Sequence, residues 1–175
     1  EAFVVWNILG ASAAQTGQLD NAILAFQRVI ALKPDYAEAY YNMGAALKDQ
    51  GELDEAIEAY NKALAIKPDY VDAYNNMGNA LKEQNKLDEA MEFYTKALAL
   101  KPDYAKSYYN MGNALQDQGK LDEAIEAYNK ALSLKPDYAE VYNNMGNALK
   151  DQSKLEEAIA SYNNALSLKP DYADA

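Results

Sequence analysis

A period of 34 residues constrains the fold of this chain more than any other feature of its sequence. The tetrapeptide KPDY begins at residues 33, 67, 101, 135 and 169, and these copies contain all five prolines. Self-similarity at a fixed period of this length indicates stacked supersecondary units rather than one globular core. The sequence therefore predicts one array over residues 1–175, with the repeats 3–36, 37–70, 71–104, 105–138 and 139–172, and we expect it to be a fragment of a longer chain.

Each repeat has the pattern of two helices joined by a short turn. In the third repeat, Asp69 is the expected N-cap of a first helix that ends near Gln84. A second helix is expected from Leu87 to Leu100, before Pro102. The turn between the two helices needs a residue in the left-handed conformation, which glycine and asparagine tolerate best. The residues at that position are Gly51, Asn85, Gly119 and Ser153. Of these, Ser153 is expected to be slightly strained.

The apolar residues of both helices recur at helical spacing, which predicts one buried stripe on each helix. In the third repeat these stripes contain Tyr74 and Leu81 on the first helix and Tyr94 and Leu98 on the second. A single helix pair cannot cover its own apolar surface, so successive pairs must stack. The predicted fold class is therefore an all-α solenoid of helix-turn-helix repeats.

The pattern resembles the tetratricopeptide repeat, a 34-residue helix-turn-helix unit. The first repeat carries the residues typical of it, namely Trp6, Leu9, Gly10, Ala22, Phe26 and Pro34, and it departs from the pattern at Ala13 and Val29. The resemblance covers residues 3–172. It implies a right-handed α-solenoid with a concave inner wall. It also implies a non-enzymatic scaffold for protein–protein interaction, because the family serves as such.

Composition excludes several classes of function. The formal net charge of -11 disfavours nucleic acid and anionic membranes as partners, because both attract basic surfaces. The chain contains no cysteine and no histidine, so we expect no metal site, no cofactor and no catalytic residue. The recurring LDEA segments place adjacent acids at helix starts, where they favour the helix dipole. Without a recognisable signal peptide or membrane span, we expect a cytoplasmic protein.

Asparagine is unexpectedly frequent in the first helices, although it is a poor helix former. It lies opposite the buried stripes, in rows that run from repeat to repeat. The predicted groove rows are Asn42, Asn76, Asn110 and Asn144; Asn79, Asn113 and Asn147, with Ala45 interrupting; Tyr41, Asn75, Tyr109 and Asn143; and Lys48, Lys82, Gln116 and Lys150.

An asparagine amide donates and accepts hydrogen bonds, so it can pair with both groups of a peptide unit. The rows therefore predict a groove that holds an extended polypeptide. The alternative is that the asparagines only keep an exposed face soluble. The row from Asn42 to Asn144 is similar to that in the repeat arm of O-linked N-acetylglucosamine transferases. That resemblance implies a second possibility, the substrate-recognition arm of a larger enzyme such as a glycosyltransferase.

Some tetratricopeptide domains clamp a C-terminal carboxylate with several basic residues. The corresponding positions here hold Tyr41, Asn75 and Asn110, and only Lys106 is basic. Glu38, Asp72 and Glu140 are expected on the same wall. We therefore expect a neutral or basic ligand.

The first and last helices suggest self-association. The segment from Phe3 to Ala14 is apolar nearly all round, which is typical of a helix buried on both sides. In the last repeat the apolar residues of the second helix are expected to be exposed. We therefore expect end-to-end packing into a homo-oligomer or a self-assembling array, through Val4, Ile8, Ile159, Tyr162 and Leu166.

Overall fold

The computed structural model describes residues 2–170, and within them it contains ten α-helices and no strand. The helices are α1 Ala2–Gln15, α2 Leu19–Leu32, α3 Ala37–Gln50, α4 Leu53–Ile66, α5 Val71–Glu83, α6 Leu87–Leu100, α7 Ala105–Asp117, α8 Leu121–Leu134, α9 Ala139–Asp151 and α10 Leu155–Leu168. Two helices per repeat confirm the predicted fold class. The end of the predicted fifth repeat, Asp171 and Tyr172, lies outside the described residues.

The chain divides into two compact units, Glu1–Lys86 and Leu87–Ala175. In unit 1, α1 packs on α2, α2 on α3, α3 on α4 and α4 on α5. In unit 2, α6 packs on α7, α7 on α8, α8 on α9 and α9 on α10. The first helices of neighbouring repeats also touch, with α3 against α5 in unit 1 and α7 against α9 in unit 2.

In the first, second, fourth and fifth repeats, the core pairs a bulky ring with a glycine. Tyr60 and Tyr128 are fully buried on the second helices α4 and α8. A Cβ atom built on Gly44 would lie 2.8 Å from the Tyr60 ring, and one built on Gly112 would lie 2.5 Å from the Tyr128 ring. Real Cβ atoms do not approach other atoms so closely, so the glycine is what allows the two helices of a repeat to meet.

The turns confirm one expectation and correct another. Asn85 and Ser153 have φ angles of 60° and 63°, so both adopt the left-handed conformation that was predicted. Asp69, however, is not the N-cap of α5. Tyr70 holds that position without a side-chain hydrogen bond. The Tyr70 amide donates to the carbonyl of Lys67, which places Asp69 inside a turn and one residue too early to cap the helix.

Glutamine side chains connect successive repeats, a feature that sequence reasoning missed. Each lies at the end of a first helix, and its Nε2 donates to the aspartate that begins the preceding second helix. The pairs are Gln50 with Asp20 at 2.5 Å, Gln84 with Asp54 at 2.7 Å, Gln118 with Asp88 at 2.9 Å and Gln152 with Asp122 at 2.8 Å. The constant 30-residue separation of glutamine and aspartate was the available signal.

Candidate functional site

In unit 1, the first helices α3 and α5 together present a polar surface, which we call the unit 1 wall. Apart from Asn75, its members are only partly buried, so they are accessible from solvent. It contains the predicted groove residues of these two helices: Tyr41, Asn42, Lys48, Asn75, Asn76, Asn79 and Lys82.

Hydrogen bonds connect the two helices of this wall. Asn76 Nδ2 donates to the Tyr41 hydroxyl oxygen at 3.0 Å, and Asn75 Nδ2 donates to Asn76 Oδ1 at 3.3 Å. Lys48 Nζ lies 3.6 Å from a carboxylate oxygen of Glu83 and 2.9 Å from one of Asp49. The wall is therefore an organised network, with α3 joined to α5 by both a neutral and an ionic contact.

Burial and nearby charges together raise the pKa values of two residues of this wall, Tyr41 and Lys48. Burial raises the pKa of Tyr41, Asp72 raises it further, and the bond from Asn76 opposes the change. Partial burial works against the charge on Lys48, but its contacts with Asp49 and Glu83 outweigh burial and raise its pKa. The positive charge of Lys48 is thus already paired within the protein, which leaves it a weak attraction for an acidic ligand.

In unit 2, α7 and α9 present the corresponding surface, the unit 2 wall, with Tyr109, Asn110, Asn113, Asn143, Asn144, Asn147 and Lys150. Asn144 Nδ2 donates to the Tyr109 hydroxyl oxygen at 3.1 Å and to Asn113 Oδ1 at 2.9 Å. Asn143 Nδ2 donates to Asn144 Oδ1 at 3.4 Å. The same tyrosine–asparagine contact therefore recurs in both units, 68 residues apart.

The tyrosines of these contacts also pack on other rings. The Tyr41 ring lies 4.8 Å from that of Tyr70, and the Tyr109 ring lies 5.1 Å from that of Tyr138. Burial raises the pKa of Tyr138 to about 12, with further contributions from Tyr109 and Glu140. Tyr41 and Tyr109 are consequently part of the packing between repeats and are only half-exposed.

Three predicted groove residues are buried instead of lining an open row. Asn75 is 0% exposed, Asn143 is 5% exposed and Asn110 is also buried. The prediction of an exposed position is therefore wrong for these three. Asn75 and Asn143 each donate to the asparagine that follows them, so their side chains turn into the structure and support the neighbouring amide.

In unit 2, asparagines of the second row accept hydrogen bonds from tyrosine hydroxyls of the second helices. The Tyr128 hydroxyl oxygen lies 2.8 Å from Asn113 Oδ1 and 2.9 Å from Gln116 Oε1, so its one proton is shared between these two acceptors. The Tyr162 hydroxyl donates to Asn147 Oδ1 at 2.8 Å. In unit 1, Ala45 stands at the corresponding position, and the buried Tyr60 hydroxyl has no hydrogen-bond partner.

Asn42, Asn76 and Asn144 of the first row differ in how many of their side-chain hydrogen-bonding groups are already used within the protein. An amide has two N–H groups and two oxygen lone pairs. Asn144 uses both N–H groups within unit 2, whereas Asn76 uses one. Asn42 is half-exposed and makes no side-chain hydrogen bond within residues 2–170. Asn42 and Asn76 of the unit 1 wall therefore each have more unused hydrogen-bonding groups than Asn144 has in unit 2.

The residues predicted for self-association divide into two groups. Val4, Ile8 and Ile159 are exposed. Tyr162 and Leu166 are half-buried, which corrects the expectation that they would be open. The reason is packing within the fifth repeat, where a Cβ atom on Gly146 would lie 2.6 Å from the Tyr162 ring.

No group of three or more acidic side chains in residues 2–170 could hold a metal ion. Within the same residues, every helix is too short or too polar to cross a membrane.

Comparison with protein families gives matches along most of the chain. Residues 10–51, 46–85, 78–119 and 112–153 match the family described as TPR repeat. Residues 139–172 match the family described as tetratricopeptide repeat. No curated protein matches the chain significantly.

Several solved structures share the fold. The crystal structure of MamA is 29% identical, with a TM-score of 0.80 over 95% of this chain and 98% of MamA. PilF of Pseudomonas aeruginosa is 25% identical, with a TM-score of 0.86 over 95% of this chain and 76% of PilF. YrrB, described as a TPR protein with an unusual peptide-binding site, is 20% identical, with a TM-score of 0.74 over 99% of this chain and 95% of YrrB. The likeness to YrrB shows the fold alone.

Proposed function

The chain belongs to the tetratricopeptide-repeat family, and from that premise we propose that it is a non-enzymatic interaction scaffold whose unit 1 wall binds an extended polypeptide. The observation that carries the proposal is the unused amide of Asn42 beside the partly used amide of Asn76. Both are half-exposed on neighbouring first helices, α3 and α5, which touch each other.

The spacing of these helices suits a peptide backbone. Packed helices lie about 8–10 Å apart, and an extended chain advances about 3.3 Å per residue. Asn42 and Asn76 would therefore meet peptide groups about three residues apart. Because each amide can pair with a backbone N–H and a backbone carbonyl, this mode of binding tolerates many ligand side chains.

The charge of the wall favours a neutral or basic ligand. Lys48 is paired with Asp49 and Glu83, so it offers little free positive charge. Asp72, at the start of α5, lies close enough to Tyr41 to raise its pKa. Together with the net charge of -11, these acids would repel an acidic segment.

The test uses 12-residue peptides selected by phage display against the full chain. We expect Asn42→Ala to weaken binding of a selected peptide by about tenfold, because a lost hydrogen bond at a desolvated site costs about 1–3 kcal/mol. The matched control is Asn61→Ala, an exposed asparagine on the second helix α4. Isothermal titration calorimetry measures both affinities, and an unchanged affinity in Asn42→Ala would contradict the proposal.

A second measurement separates backbone recognition from side-chain recognition. N-methylation of the peptide, one amide at a time, removes one backbone donor at each step. We expect one or two methylations to weaken binding strongly in the wild type and to have little further effect in Asn42→Ala. If alanine substitution of the peptide side chains accounts for all of the affinity, backbone recognition is wrong.

The same wall could act as the substrate-recognition arm of a larger enzyme. That possibility depends only on the resemblance of the asparagine row to the repeat arm of O-linked N-acetylglucosamine transferases. The coding sequence on either side of these 175 residues distinguishes the two, since the arm requires a catalytic domain in the same polypeptide.

A further inference from the structure

Each unit contains a cleft that shares no residue with its wall. The cleft of unit 1 has a volume of about 350 Å³ and is lined by residues of α2, α3 and α4. That of unit 2 also has a volume of about 350 Å³ and is lined by residues of α6, α7 and α8. We call them the unit 1 cleft and the unit 2 cleft. Their linings correspond residue by residue at a separation of 68 positions, so one kind of ligand would fit both.

The floor of the unit 1 cleft is apolar and has room for a side chain. Tyr40 and Met43 are half-buried there and Leu47 is buried. Ala59 forms part of the lining, whereas the third repeat has the much larger Phe93 at the same position. Pockets that hold whole small molecules have volumes of about 300–1,000 Å³, so this one suits one or two side chains.

The rim of the unit 1 cleft is acidic. Glu52, Glu55 and Glu58 on α4 line it and are exposed, and Lys62 is the one basic residue of the lining. None of the three carboxylates forms an ion pair within residues 2–170. The lining of the unit 2 cleft likewise contains two glutamates and one lysine, namely Glu123, Glu126 and Lys130. Both clefts therefore combine an apolar floor with a net negative rim.

From this combination we infer that each cleft binds a basic segment of a partner protein. One apolar side chain of the segment inserts against Met43 or Met111, and flanking lysine or arginine side chains lie against the glutamates. Methionine is flexible and polarisable, so it adapts to apolar groups of different shape. The acidic rim repels an acidic segment and attracts a basic one, which selects the occupant.

This inference goes beyond the proposed function. It places a second ligand on the opposite side of α3 from Asn42, and it depends on side chains of the ligand, whereas the unit 1 wall would recognise a peptide backbone.

The first repeat provides a control within the same molecule. Its equivalent cleft, of about 410 Å³, is lined by Trp6 and Leu9. Gln18, Asn21 and Leu24 stand at the positions of the three glutamates, so this rim carries no charge. Because its floor is apolar as well, it separates the contribution of the acids from that of the apolar surface.

The test titrates the peptide acetyl-KKLKK-amide into the full chain, labelled with carbon-13 at the methionine methyl groups. We expect saturable NMR shifts for Met43 and Met111, which line the two clefts, and none for Met77, which is buried at 4% exposure. The fluorescence of Trp6, the one tryptophan of the chain, should not change. The peptides acetyl-KKSKK-amide, without the apolar side chain, and acetyl-EELEE-amide should produce no saturable shift.

Two variants of unit 1 test the charge and the space separately. Glu55→Gln/Glu58→Gln should weaken the response of Met43 by about fivefold, as expected for two exposed ion pairs, and leave Met111 unchanged. The matched control is Asp35→Asn/Asp69→Asn, which removes two exposed charges outside the cleft and should leave both responses unchanged. Ala59→Phe should abolish the response of Met43 by filling the unit 1 cleft, and Phe93 is the natural precedent for it.

Several results would overturn the inference. Equal shifts with acetyl-KKSKK-amide, or equal weakening in the aspartate control, would mean general attraction to the net charge of -11. An equal response of Trp6 would mean that the acids select nothing. A Met43 signal that shifts with protein concentration alone would place a second copy of the chain in the cleft. Asn42→Ala should leave the Met43 response unchanged, so this inference and the proposed function can fail independently.

Discussion

The hydroxyl of Tyr60 is buried without a hydrogen-bond partner, and it shows how one residue affects the stability of this array. Burial, with repulsion from Tyr41 and Asp49, raises the pKa of Tyr60 above its ordinary value. The nearby Asn76 amide offsets part of this rise, but its Nδ2 is bonded to Tyr41, and the Tyr60 hydroxyl has no partner in hydrogen-bond geometry. In the fifth repeat, Asn147 satisfies the equivalent Tyr162.

Ala45→Asn should therefore stabilise the protein. A partner for a buried hydroxyl relieves a cost of about 1–3 kcal/mol, from which about 0.7 kcal/mol is lost because asparagine is a poorer helix former than alanine. We expect the free energy of unfolding in urea to rise by about 1 kcal/mol. The reverse change, Asn147→Ala, should lower it by a similar amount, and a fall in Ala45→Asn would show that the side chain does not reach Tyr60.

Sequence predicted the asparagine rows but not their roles. The register places Asn75 and Asn76 side by side, yet Asn75 is fully buried and Asn76 is half-exposed. That difference depends on how neighbouring helices pack and on which rotamer reaches which partner, and neither follows from helical periodicity. The link from Asn76 to Tyr41 spans 35 residues, so no local pattern reveals it.

At the scale of the helix, the boundaries were predictable where the cause is local. The second helix of the third repeat was expected over 87–100, and α6 spans these residues. Pro102 explains the end of α6, because a proline disfavours helical backbone in the residue before it. Asp88 and Glu89 in the first turn favour the start at Leu87, because they interact favourably with the helix dipole. The Asp69 cap was wrong because the Lys67–Tyr70 turn shifts the helix start, and such a shift of one residue depends on the geometry of the turn.

Ser153 provides a test of the turn conformation. It has a φ of 63°, where a residue other than glycine or asparagine loses about 1–2 kcal/mol. We expect Ser153→Gly to raise the free energy of unfolding by about 1 kcal/mol. Gly119 has a φ of 73° at the same position of the fourth repeat, so Gly119→Ser is the matched control and should lower stability equally. Thermal unfolding of both variants measures the change.

Gly112 provides a test of how closely two helices approach. In an unhindered helix, glycine to alanine stabilises by about 1 kcal/mol. Here the added Cβ would lie 2.5 Å from the Tyr128 ring, and overpacking costs about 1–3 kcal/mol. We expect Gly112→Ala to lower the free energy of unfolding by about 1–2 kcal/mol in urea titration. Stabilisation by this change would mean that the helices can separate at little cost.

For the whole molecule, the tyrosines make stability depend on alkaline pH. Burial raises the pKa values of Tyr41, Tyr60, Tyr70, Tyr128 and Tyr138, the last to about 12. In the unfolded chain a tyrosine ionises near its ordinary value of about 10. Above that pH the folded state binds more protons than the unfolded state, so stability falls as pH rises. Below it, these groups contribute no pH dependence.

We therefore expect the free energy of unfolding to be insensitive to tyrosine ionisation up to about pH 10 and to fall steeply between about pH 10 and 12. Each raised tyrosine adds up to about 1.4 kcal/mol per pH unit to the slope. Lysine deprotonation acts over the same range, so Tyr128→Phe isolates the tyrosine effect: it keeps the ring against Gly112 and removes the ionisable group. Between pH 10 and 12, the free energy of unfolding of Tyr128→Phe should therefore fall less than that of the wild type, and the difference should be the contribution of one tyrosine.

Absorbance at 295 nm, followed during the same titration, should show the buried tyrosines ionising only as the helices unfold. Equal slopes for the two proteins would mean that Tyr128 ionises in the folded state, and hence that solvent reaches the core between α7 and α8.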